Sequence, residues 1–179
     1  MKRLLCLAAL LALAAGAAPA SDQPAVGAAA GRQPAAAKQT ISLPGIDGVT
    51  RRLSDWRGQV IVLNFWAAWC EPCLKEIPDL VSLQEEYGGR GLQVVGVGVD
   101  ELPKLRNVVR SLEVGYPVLV IDPDAGSRLL GQWGDPRGVI PFTVVIDRDG
   151  RVAYRHRGPI ARADLVERVA PLLAAGDKQ

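Results

Sequence analysis

Val60-Ile61-Val62-Leu63-Asn64-Phe65-Trp66-Ala67-Ala68-Trp69-Cys70-Glu71-Pro72-Cys73 is the stretch from which the fold is read. Its first seven residues, introduced by Gly58, form a nearly continuous apolar run of strand length. Such a run is expected of a central strand buried on both faces. From Cys73 the period changes: Cys73, Ile77, Leu80, Val81 and Gln84 trace one face of a helix that lasts to about Tyr87, where Gly88-Gly89 stop it. The two cysteines therefore sit at a strand-to-helix junction. Pro72 lacks an N–H and has a fixed φ, both acceptable in a first helical turn, whereas Pro78 inside the same helix predicts a kink one turn after Cys73.

Working outward, residues 92–99 read as a second buried strand. After Pro103, the spacing of Leu105, Val108, Val109 and Leu112 is that of an amphipathic helix. Residues 118–121 read as a strand, 125–130 as a short helix, and 142–147 with 152–155 as a hairpin around Asp149-Gly150. A last helix is expected over 162–173. Upstream, Ile41 and Leu43 precede Pro44-Gly45, and Asp47-Gly48 precedes Val49 and Leu53, the pattern of a β-hairpin. Alternating strands and helices that close with a hairpin and a helix predict an α/β domain, a central mixed sheet flanked by helices. No internal repeat is visible.

The chain has 179 residues, enough for one ordinary core, so a single domain over 39–175 is expected. Residues 1–20 stand apart: Lys2 and Arg3, an apolar run, then Ala18-Pro19-Ala20 before Ser21, the layout of a secretory signal peptide. The apolar stretch is shorter than the roughly 20 residues that span a bilayer. Residues 21–38 are dominated by Ala, Gly and Pro and read as a flexible lead. Cleavage would remove Cys6 and leave two of three cysteines, both in one C-x-x-C. It would also leave 19 Lys+Arg, down from 21, against 19 Asp+Glu. Near-neutral charge gives no sign of nucleic-acid binding.

The ordered set of residues carries a resemblance. Asn64 through Cys73 resembles the active-site stretch of thioredoxin-like proteins. The flanks look like the TlpA/ResA group of exported thiol-disulfide oxidoreductases: Leu53 to Gly58, Glu76 and Pro78, Val139-Ile140-Pro141, and Ile146-Asp147-Arg148-Asp149-Gly150. The resemblance implies a thioredoxin-like fold with an N-terminal β-hairpin and dithiol–disulfide exchange without cofactor or metal. The chemistry also follows from placement. Exchange begins with a thiolate, and a helix start supplies a positive dipole end and free N–H groups, which suits Cys70 as nucleophile. Two intervening residues leave Cys73 in the same turn, placed to resolve the mixed disulfide.

The resemblance further implies that Pro141 is cis and leaves the Ile140 backbone free to pair with an extended substrate. Trp69, Glu71 and Pro72 complete the expected substrate face, although Trp66 and Trp69 equally suit packing around the site, and Trp133 suits anchoring a loop. Glu101 falls where ResA-type proteins keep an acid, making it the candidate acid/base for Cys73, with Asp100 as competitor; either also suits a helix cap. Arg151, Arg155 and Arg157 read as a solvated strand edge. Two departures concern the substrate face: the approach 132–139 is lengthened by Asp135-Pro136, and Phe142-Thr143 follows Pro141.

Glu-Pro between the cysteines recurs in the resembled reducing members. The expectation is a reductase in the periplasm or on the outer face of the inner membrane. Its expected partners are disulfide-containing envelope proteins, apocytochrome c or copper-site cysteines among them, and a membrane thiol-electron donor. A copper-binding or metallochaperone module on the same fold is the alternative; it needs a wider cysteine spacing and a histidine ligand, and His156 is the sole histidine. A peroxidase would need a cysteine flanked by Thr and Arg, and neither flank is present.

Overall fold

The structure is a computed structural model that describes residues 40–175; the expected signal (1–20) and lead (21–38) lie outside the described residues. Seven strands and four helices follow in the order β1 (Ser42–Pro44), β2 (Thr50–Arg52), β3 (Val60–Trp66), α1 (Glu71–Tyr87), β4 (Leu92–Val99), α2 (Leu102–Ser111), β5 (Val118–Ile121), α3 (Pro123–Gln132), β6 (Phe142–Ile146), β7 (Val152–Arg157) and α4 (Arg162–Ala174). A short 3-10 turn, Leu53–Trp56, leads into β3.

The main sheet has the order β5-β4-β3-β6-β7. β3, β4 and β5 are parallel, while β6 and β7 run antiparallel to their neighbours, which makes the sheet mixed as the alternation predicts. All seven residues of β3 are buried, which is why that strand reads as an unbroken apolar run. On one face Val60, Val62 and Trp66 pack with Ile77 and Leu80 of α1, Leu105 of α2, and Leu165 and Val169 of α4. On the other, Ile61, Leu63 and Phe65 pack with Trp56, and with Leu130 and Trp133 at the end of α3. β1 and β2 form the expected antiparallel hairpin, which continues onto the main sheet through Ile46 N–H to Val118 O (3.0 Å).

Register positions the site. β3 pairs antiparallel with β6 from Ile61↔Ile146 to Phe65↔Phe142, so the residue just before β6, Pro141, lies at the sheet end where β3 hands over to the cysteine turn. α1 runs as one helix through Pro78. That position is exposed, and the amide hydrogen bond that proline cannot make is the local cost of placing it there.

Candidate active site

Cys70 is the N-cap of α1, in extended conformation, and its sulfur accepts a hydrogen bond from Cys73 N–H at 3.3 Å. The two cysteines are joined as a disulfide. Cys73 is fully buried and Cys70 is 4% exposed, so attack from outside meets Cys70 first. Glu71 and Pro72 stand exposed on the first turn, and Glu71 is ion-paired with Lys75 at 2.7 Å, one turn on. Trp66 is buried as a packing residue, but Trp69 is not: 71% of it is exposed beside Cys70, where it offers an apolar surface to a partner.

The Ile140–Pro141 peptide is cis. Pro141 itself is buried, and its carbonyl is held by Gly158 N–H at 2.8 Å.

Of the two acids considered for Cys73, Glu101 faces solvent. It is the N-cap of α2, 69% exposed, and paired with Lys104 at 2.9 Å. Asp100 is buried; its Oδ2 accepts from Ala68 N–H (3.3 Å) and its Oδ1 from Glu101 N–H (2.8 Å), so it ties the turn before Cys70 to the end of β4.

The carboxylate that shares the buried face of α1 with Cys73 is Glu76, one turn later and 4% exposed. Its Oε1 accepts from Asn64 Nδ2 at 2.7 Å, and its Oε2 accepts from Ile160 N–H at 3.1 Å; Asn64 Nδ2 also donates to Thr143 Oγ1 at 3.0 Å. Burial pushes the Glu76 carboxyl up to about 7, against the opposing pull of the two hydrogen bonds. A carboxyl near 7 exchanges a proton readily at neutral pH. Tyr116, buried on the same side of the sheet, has its phenol raised by burial and then by the Glu76 charge. Sequence reasoning placed Glu76 only within the resemblance. The signal was present, because a charged residue at position 76 falls on the Cys73–Ile77–Leu80 stripe that the period marks as buried.

The arginines on and beside β7 meet the expectation of an exposed edge in part. Arg151 is exposed and pairs with Asp149. Arg155, half-buried, and Arg157, still exposed, each reach a partner in the loop after α3: Arg155 Nε donates to Trp133 O (2.8 Å) and Arg157 Nε to Asp135 Oδ1 (2.8 Å). Trp133, at the end of α3, is buried beneath the loop it anchors.

A model of the AhpC/TSA family matches residues 34–155. Thiol-disulfide oxidoreductase ResA of Geobacillus thermodenitrificans is 33% identical over 126 residues, covering 69% of this chain and 68% of that protein. Thiol:disulfide interchange protein HelX of Rhodobacter capsulatus is 32% identical over 117 residues, 65% of this chain and 62% of that one. Among solved structures, a thiol:disulfide interchange protein of the thioredoxin family from Chlorobium tepidum TLS superposes with a TM-score of 0.67 at 33% identity, covering 75% of this chain and 93% of that one. With a disulfide-linked C-x-x-C capping a helix on a thioredoxin-like sheet, the chain belongs to the AhpC/TSA family and is a thiol-disulfide oxidoreductase working by dithiol–disulfide exchange.

Proposed function

We propose that this protein is an exported reductase of disulfides in envelope proteins, acting in the periplasm or on the outer face of the inner membrane, with apocytochrome c or copper-site cysteines as clients. The observation that carries the reading is the buried Glu76 carboxyl on the same helix face as the buried Cys73. In the reducing direction the Cys70 thiolate attacks a client disulfide. One client sulfur leaves as thiolate, and a mixed disulfide forms. Glu76 then takes the proton from Cys73, whose sulfur attacks Cys70 Sγ. The Cys70–Cys73 disulfide forms, the second client sulfur leaves, and two electrons have passed to the client. A membrane thiol-electron donor returns the pair to the dithiol.

Glu71 supports this direction only weakly. An acidic neighbour opposes thiolate formation at Cys70, but exposed charges in water are worth about 1 kcal/mol and Lys75 offsets part of this. About 1.4 kcal/mol corresponds to about 30 mV for a two-electron couple, so Glu71 tunes the potential without setting it. His156, the histidine a copper site on this fold would require, has both ring nitrogens engaged, Nδ1 with Tyr154 Oη (3.2 Å) and Nε2 with Pro159 O (3.1 Å). The decisive experiment is equilibrium titration against a dithiol couple, together with trapping of clients on Cys73→Ala. A potential near about −270 mV and trapped envelope proteins support a reductase; one near about −120 mV makes the protein a disulfide donor.

A further inference from the structure

The segment from Trp133 to Ile140 joins α3 to the cis-proline and is one of the two places where the chain departs from the resembled pattern. It is built around Asp135, which is completely buried. Its Oδ1 accepts from Arg157 Nε at 2.8 Å, and its Oδ2 accepts from Val139 N–H at 2.6 Å. Its main chain is held too, by N–H to Leu130 O (2.9 Å) and by O from Gly138 N–H (3.0 Å). Arg157 donates a second bond to Gly134 O, and Arg155 Nε holds Trp133 O. Gly138, at φ 64°, is in the left-handed region that lets the chain curl back onto the carboxylate. A buried carboxylate is tolerated only when paired and hydrogen-bonded, and here both oxygens are engaged.

This clamp fixes what the loop presents next to the cysteines. The Val139 N–H is consumed inside the loop, while the Val139 side chain is 43% exposed, one of three large apolar residues so exposed among the described residues. Another is Trp69, beside Cys70. Among the described residues no backbone hydrogen bond engages Ile140.

We propose that Asp135 and Arg157 are positioning residues for client recognition: they lock residues 133–139 to β7 so that Ile140 offers its main chain, and Val139 its side chain, to an extended polypeptide disulfide. The inference rests on the thiol-disulfide reading and deepens it. Small disulfides that reach Cys70 without lying along Ile140 do not need the clamp. Polypeptide clients do.

The test compares full-length wild type and Asp135→Asn on insulin disulfides and on cystine, with amide hydrogen exchange at Val139 as a readout independent of turnover. Asparagine cannot accept at both oxygen positions, so one of the two bonds is lost. The expected result is a KM for insulin raised about fivefold with kcat, cystine turnover and redox potential within about twofold of wild type, and Val139 exchange at least about tenfold faster. Arg157→Lys, which keeps a cation near Asp135 but loses the fork to Gly134, is expected to fall between the two and carries the same test should Asp135→Asn not fold. Equal losses on insulin and cystine, or an unchanged insulin KM with unchanged Val139 exchange, overturn the proposal. If the wild type reduces neither substrate, the thiol-disulfide reading fails on its own, and Val139 exchange still decides whether the clamp positions the loop.

Discussion

Glu76 links catalysis and stability through one proton. Burial raises its carboxyl from the ordinary 4.5 to about 7, so between those values the folded protein keeps a proton that the unfolded chain releases. Its contribution is neutral below pH 4.5, where both states are protonated, and becomes destabilising as pH rises to 7, by about 1.4 kcal/mol per pH unit at most. Glu76→Gln should therefore flatten the fall in urea-unfolding stability between pH 4.5 and 7. The same variant should lose the inflection near pH 7 in the rate of client release and slow that step by about 10²- to 10⁴-fold at neutral pH. Glu101→Gln should leave both profiles unchanged, because its carboxylate is exposed and paired with Lys104. The contrast shows why a buried acid is found by helix period and an exposed one is not excluded by it: Glu101 follows a strand end in sequence, but only the path of the chain after Val99 turns it to water.

The helix and strand elements were legible wherever their period was uniform. β3 and β4 fall on the runs that read as buried strands, since both faces of each are covered and few polar residues interrupt them, and β5 falls on its expected run at the sheet edge. α3 is longer than the short helix expected, starting at Pro123 behind an Asp122 cap that bonds Ala125 N–H at 2.9 Å. Gly98 in β4 is a close approach: a Cβ there would lie 2.6 Å from both δ-methyl carbons of Leu105 on α2, which is completely buried. Gly98→Ala should destabilise the fold by about 1–3 kcal/mol, measured as a lowered urea midpoint with unchanged m-value, because the core has no room for the extra carbon. The arginines of β7 show the opposite limit. Arginines on and just before an edge strand resemble solvated charge, and only the return of the α3–β6 loop over that strand gives Arg155 and Arg157 partners.

At the scale of the molecule, Arg148 ties distant segments at the sheet end opposite the cysteines. Its guanidinium donates to Gly58 O before β3 (2.9 Å), to Arg90 O before β4 (3.4 Å) and to Leu173 O at the end of α4 (3.4 Å). Arg148→Met should cost about 1–3 kcal/mol in stability by leaving carbonyls without that donor, while redox potential and client KM stay unchanged. A shifted potential would mean that the two ends of the sheet are coupled.

The sequence by itself determined the strand and helix order, the mixed sheet and the placement of a cysteine pair at a helix start, because each rests on local periodicity and short-range turn chemistry. Its resemblance to a known group supplied the cis-proline. The tertiary structure alone decided that Glu101 faces water, that Trp69 stands in solvent while Trp66 does not, and that Asp135 and Arg157 meet across 22 residues of chain. Those outcomes depend on how far each group is removed from water and on which partner the sheet register carries to it. Burial and pairing are properties of the packed chain, and no window of sequence contains them.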